Sequence, residues 1–279
     1  MPISEMILKD AGVALQMTWD AIRFKRRKTI LAYPHYPSRG STLYRIAQCL
    51  GWGITNKFSR SWERAIFWEY ATVREGFEAL EGITKTKVIN LESRDISKDV
   101  VDEQMQEAFG YSTRIDPTAF EGIAVRKSLK NAVHDGRSIT CPCTPEPGFI
   151  YQRLIDSSVS ENEVVDLRIP VVGGTIPLLY QNFRMKTDRF KNVPDRAELT
   201  LDIESQLSTQ EIERILSFCS FAGLSFCELD VLRDQSDGRI YIVDANNTPQ
   251  GPPKNLDAEA KKVAIECLST AFENAFIKA

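Results

Sequence analysis

With 279 residues, 43% of them hydrophobic, the chain can bury a large core and divide it among roughly one to three subdomains. A net charge of −3 argues against nucleic acid as the main partner. No run of about 18 apolar residues occurs, which predicts no transmembrane segment, and no apolar stretch with a cleavage site opens the chain, so a cytoplasmic location is expected. Six cysteines are scattered as Cys49, Cys141, Cys143, Cys219, Cys227 and Cys267. Cys49, Cys219, Cys227 and Cys267 lie within apolar helix or strand patterns and read as small buried hydrophobes. With His35 and His134 the only histidines, a zinc site is disfavoured and reduced thiols are expected.

Helical periodicity over 6–24 ends in a basic run from Arg23 to Lys28. Such a run complements a helix C-terminal dipole; contact with an acidic membrane surface or another anionic partner is the alternative. A strand at 29–33, a Gly/Ser loop and a helix at 43–50 make an anion-accepting geometry, without a full GxGxxG or Walker A pattern. Strands at 52–55, 64–70 and 87–91 complete a small, irregular α/β unit over 28–92. A helix at 95–109 begins at Ser97 or Asp95 and stops at Gly110. Strands follow at 122–128, 137–140, 149–155, 165–172 and 178–185. The amphipathic segment 208–223, with acids in its first turns, is a helix. Two strands, 226–233 and 240–246, flank the turn signal Ser236-Asp237-Gly238. A helix at 257–275 closes the chain.

Alternation places Glu228 and Asp230 on one face of the first of these two strands, and Asp244 and Asn246 on one face of the second. A hairpin centred near Asp237 brings Asp230 opposite Asp244. Facing carboxylates repel, so Asp244→Asn would relieve the empty hairpin. A divalent cation also removes the repulsion, and oxygen-only ligands suit Mg²⁺ shared with phosphates. A solvated hairpin with its acids on the wet side is the alternative.

The segment Asp230-Val-Leu, a short Asp/Gly turn and Tyr-Ile-Val-Asp244-Ala-Asn246-Asn-Thr-Pro249 resembles the metal-binding strand pair of ATP-grasp ligases. The resembled members are the glutathione synthetase, ribosomal-protein glutamate ligase and D-alanine–D-alanine ligase group. Asp244 stands where that pattern has Glu. The resemblance implies an α+β chain with the ATP-grasp fold: two α/β subdomains clasp the nucleotide, preceded by a reduced N-terminal α/β unit. The boundaries are 1–94 and 95–279, with a small lid subdomain at about 112–156 and a C-terminal subdomain at about 157–279.

It further implies that Lys98 and Lys127 bind nucleotide phosphates, and that Gln152, with backbone groups of Arg153 and Leu154, holds the adenine. Asp230, Asp244 and Asn246 would ligate Mg²⁺. Asp166 and Arg168, on one strand face, would form an ion pair beside the substrate. Arg184 and Asn192 would flank the reacting acyl phosphate, with Arg168 and Arg184 as the catalytic cations. The implied reaction is ATP- and Mg²⁺-dependent ligation, in which a carboxylate is activated as an acyl phosphate and attacked by an amine. The partners are ATP and a small-molecule or peptide substrate, and a homo-oligomer is left open.

Two departures stand out. The lid at 129–136 holds one glycine where the family has several, and glycine lets a backbone approach phosphates. Glu228 replaces an arginine that lies two residues before the metal-binding aspartate in D-alanine–D-alanine ligases; it faces an amine, ligates the metal or pairs with Arg239. A nucleotide-binding protein without ligase activity and a phosphotransferase on the same fold are therefore the alternative functions.

Overall fold

The computed structural model describes residues 28–84 and 87–278, so the predicted helix at 6–24 and all of its basic run except Lys28 lie outside the described residues. The first unit is a parallel sheet in the order β2-β1-β3-β4, made of β1 (Thr29–Pro34), β2 (Gly53–Thr55), β3 (Arg64–Trp68) and β4 (Val88–Ile89). Parallel strands are buried on both faces and read as continuous apolar runs. Ile30, Leu31 and Ala32 of β1, and Ala65 to Trp68 of β3, are all fully buried. The small α/β unit expected is thus built on one parallel sheet. α1 (Thr42–Leu50) starts where Ser41 accepts the Tyr44 N–H and stops at Gly51, whose φ of +66° suits glycine. α2 (Glu78–Glu81) is one turn.

α3 (Lys98–Phe109) ends at Gly110 as expected. Its start joins both candidate caps: Ser97 holds the N-cap backbone position and Asp95 accepts the Ser97 N–H at 2.7 Å. β5 (Gly122–Ser128), β6 (Arg137–Cys141) and β7 (Phe149–Arg153) form an antiparallel sheet in the order β6-β5-β7. A second antiparallel sheet, β10-β9-β8-β11-β12, contains β8 (Glu163–Val172), β9 (Leu179–Met185), β10 (Arg196–Thr200), β11 (Phe226–Arg233) and β12 (Ile240–Asn246). The edge strand β10 was not expected, because Arg-Ala-Glu-Leu-Thr carries too little apolar character to read as a strand. α4 (Thr209–Phe221) opens on a reciprocal capping box between Ser208 and Glu211, and α5 (Ala258–Phe276) on Asp257.

One face of the five-stranded sheet is apolar. Leu167, Ile169, Leu229, Val231 and Ala245 pack there against Val101, Met105 and Phe109 of α3 and Ile215 and Phe218 of α4. Each fully buried side chain of this kind contributes about 1.5–3 kcal/mol. Alternation turns the charged residues between them to the opposite face. A second core joins this sheet to the first unit, where Val172, Tyr180 and Phe226 meet α1, α5, Ile30 and Trp68. A contact between the turn after α4 and the segment after β4 tightens that junction. A Cβ on Gly223, at φ +63°, would lie 2.7 Å from Glu92, so only glycine fits. Among the described residues no helix is long and apolar enough to cross a membrane. Of the four cysteines read as buried, Cys219 and Cys227 are; Cys49 is exposed because it falls on the wet side of α1, and Cys267 is half-buried.

Candidate active site

β11 and β12 pair Glu228 with Asn246 and Asp230 with Asp244, as the hairpin symmetry predicts. The route differs from a plain hairpin. Arg233 pairs with Ile240 and Val231 with Ile242, and the register shifts between Asp230 and Val231. A straight ladder from the turn would set Asp230 against Val243. The bulge leaves Val243 over and re-aims Asp244, a common device beside functional sites.

The two carboxylates are half-buried, and each meets a cation. Lys98, the first residue of α3, places Nζ 3.0 Å from Asp244, and Arg168 of β8 places Nε 3.0 Å from Asp230. The expected Asp166–Arg168 pair is therefore corrected. Cross-strand register sets Arg168 opposite Asp230 and Asp166 beside Arg184, and Arg184 pairs with Asp166 and donates to the Lys191 carbonyl at 2.8 Å. Glu228 does not pair with Arg239, whose guanidinium lies over the Tyr111 ring. Its nearest cation is Arg168, 3.8 Å away.

A cleft of 790 Å³ opens over this face. Lys127, Gln152, Arg153, Leu154, Arg168, Arg184, Asp230, Asp244 and Asn246 all line it, as do Asp166, Asn192 and Glu228. Lys98 joins the site through its bond to Asp244. Burial shifts several of these groups. Lys127, at the inner end of β5, is lowered to about 8 by burial and then by Lys98. Burial raises Asp166 to about 6 and Glu228 to about 7, against the pull of Arg184 and Arg168 respectively. Arg168 is pushed up, first by Asp230, so it stays charged.

The donor set of Asp230, Asp244 and Asn246 is oxygen-only and fits a hard divalent cation. Asn246 Oδ1 also accepts from the Thr248 N–H at 3.0 Å, which fixes its orientation. Among the described residues no cluster of three or more His, Cys, Asp or Glu side chains could hold a metal. A cation here would complete its shell with oxygens from phosphate or water.

At the strand predicted to hold adenine, two expected groups are already engaged. The Arg153 N–H donates to the Thr113 carbonyl at 2.8 Å, which leaves its carbonyl and Leu154 for an edge-on ligand. The Gln152 amide donates to Thr113 Oγ1 at 2.6 Å, and Thr113 in turn donates to Asp102 of α3 at 2.6 Å. The Arg153 side chain ties the β11–β12 turn to this strand through Asp234 and, at 3.3 Å, Asp237. The lid is seated: Asn131 donates through its N–H to Thr72 Oγ1 at 2.9 Å and through its amide to the Ala245 carbonyl at 3.4 Å.

Arg189 and Asn247 also line the cleft and were not singled out from the sequence. Arg189 donates to the Ile155 carbonyl at 2.6 Å. Its position in Asp-Arg-Phe-Lys-Asn, between Arg184 and Asn192, was the available signal; a loop residue has no periodicity to mark it.

No protein-family model matches the sequence, and no curated protein matches it. Among solved structures, an ATP-grasp RimK domain protein from Sphaerobacter thermophilus aligns at 12% identity over 89% of this chain and 99% of its own, with a TM-score of 0.53. The D-alanine–D-alanine ligase of Bacillus anthracis complexed with ATP aligns at 10% identity over 90% and 95%, with a TM-score of 0.56. The ATP-grasp ligase PsnB, complexed with a minimal precursor, aligns at 14% identity over 69% of this chain, with a TM-score of 0.44, and the chain spans 66% of its length. The two long alignments cover 89% and 90% of this chain, and the chain has the ATP-grasp fold.

Proposed function

We propose that the chain is an ATP- and Mg²⁺-dependent ligase that activates a carboxylate as an acyl phosphate for attack by an amine. The observation that carries this reading is the Asp230–Asp244 pair, each carboxylate held by a cation from another element on the floor of the cleft. Mg²⁺, when bound by Asp230, Asp244 and Asn246, supplies charge neutralisation for the triphosphate. Once the two aspartates are engaged, Lys98 and Arg168 become available to phosphate oxygens. Lys127 presents its ammonium from the end of β5. Arg184 and Asn192 flank the transferring group, with Arg184 oriented by Asp166 and the Lys191 carbonyl. The Arg153 carbonyl, Leu154 and Gln152 border the base. Phosphoryl transfer depends mainly on positioning and electrostatic stabilisation, so these residues suffice without an activated nucleophile.

The test is a screen of carboxylates with amines, scored by ADP release, beside thermal melts with Mg-ATP. Ligand at about 100 times its dissociation constant stabilises by roughly 2.7 kcal/mol. ADP release that requires both co-substrates supports ligation. A melting shift without release supports the nucleotide-binding alternative, and release with a hydroxyl acceptor supports phosphotransfer. No shift at millimolar nucleotide removes the reading.

The lysines offer a sharper check. Lys127→Ala should weaken Mg-ATP binding about tenfold or more, and Lys130→Ala, on the exposed side of the lid, should leave it within twofold. Lys127→Ala should also stabilise the nucleotide-free protein. A lysine lowered to about 8 binds fewer protons folded than unfolded between pH 8 and about 10.4, so stability from this group rises with pH across that window. The gain from replacing it is therefore full below pH 8 and fades above it. Equal binding losses in the two variants would mean that Lys127 does not face the phosphates.

A further inference from the structure

The floor of the cleft holds one carboxylate that no neighbour satisfies. Glu228 is 3% exposed, and its Oε2 receives no hydrogen bond among the described residues. The one cation that acts on it, Arg168, donates its Nε–H to Asp230 at 3.0 Å. Arg168 Nε stands 3.8 Å from Glu228 Oε1, beyond hydrogen-bonding distance. A second acceptor in the same cleft is in the same condition. Asn247 is 1% exposed; its amide nitrogen donates to Ser93 Oγ at 3.1 Å, while Oδ1 has no partner among the described residues. A buried acceptor without a donor costs about 1–3 kcal/mol, and more if charged. Gly251 lies against the carboxylate, where a Cβ would stand 3.5 and 3.7 Å from the two Glu228 oxygens.

Two buried acceptors in one cleft, one of them a carboxylate, call for a ligand that only donates, and an ammonium is such a group. An alkylammonium group has three N–H donors and no acceptor. We propose that Glu228, with Asn247, forms the subsite that receives the nucleophile as a cationic primary amine, of the kind at the end of an alkyl chain or a lysine side chain. The inference rests on the ligase reading above and adds the class of its second substrate. An amine whose neighbour is a carboxylate is disfavoured there, because its anion would be brought beside Glu228.

The test is calorimetric titration of n-butylammonium into the full-length protein saturated with Mg²⁺ and a non-hydrolysable ATP analogue, with butyrate as the anionic control. The wild type should bind n-butylammonium saturably and butyrate not at all. Glu228→Gln, which keeps the shape and removes the charge, should weaken amine binding at least tenfold while holding the affinity for Mg-nucleotide within twofold. No saturable n-butylammonium binding to the wild type, or equal binding by Glu228→Gln, overturns the proposal. A tenfold loss of Mg-nucleotide affinity in the variant also overturns it, since Glu228 would then be a metal ligand. If the nucleotide analogue itself fails to bind, the ligase reading falls, and the same amine titration on nucleotide-free protein still reads the Glu228 subsite.

Discussion

Replacing Asp244 with Asn should abolish turnover and remove the Mg²⁺-dependent part of nucleotide binding, because one of two carboxylates in the donor set is lost. The effect on the nucleotide-free protein has the sign opposite to the one that strand pairing alone suggests. Two facing aspartates repel, and on that basis the substitution would stabilise. The structure already offsets the repulsion, with Lys98 3.0 Å from Asp244 and Arg168 3.0 Å from Asp230. The Lys98 side chain is 11% exposed, and an asparagine would leave its charge without a counter-ion. A loss of about 1 kcal/mol is expected in a melt of the free protein. A Mg-ATP titration of the same variant decides the functional half, and retained Mg²⁺-dependent binding would remove Asp244 from the metal site.

The largest stability effect should come from Arg168→Met. Arg168 is the cation between Asp230 and Glu228, and losing one partner of a largely buried charge set costs about 3 kcal/mol or more. For a chain of this size that is a fall in Tm of roughly 6–12 °C. The penalty should depend on pH. Glu228 is raised to about 7 even with Arg168 present, and removing the cation raises it further. A carboxylate whose folded pKa exceeds its unfolded value of about 4.3 binds more protons folded than unfolded between the two, so stability falls as pH rises through that window. The gap between wild type and variant should therefore be widest above pH 7 and narrowest near pH 5. A pH-independent gap would mean that Arg168 acts through packing and not through its charge.

The hairpin illustrates where the sequence was sufficient. Both strands are bounded as their aliphatic runs and the Ser-Asp-Gly turn predict, because a period-2 pattern and a turn are local properties. The order of the cationic and acidic motifs along the chain was likewise enough to name the fold and to gather the cleft residues from Lys127 to Asn246. What reached beyond local pattern was decided elsewhere. Asp230 meets Asp244 only through a bulge, which no residue type in Val231 to Asp244 announces. The ion pairs are cross-strand, so Arg168 meets Asp230 and not its own strand neighbour Asp166. The Arg153 N–H is engaged by Thr113, from a loop forty residues upstream. Periodicity and turn chemistry therefore determined most of the elements, while the fold and the candidate site residues followed from the resemblance carried by the ordered motifs. The tertiary structure decided which carboxylate each cation serves, and left Glu228 Oε2 without a hydrogen-bond donor among the described residues, because register and burial arise only when distant strands pack.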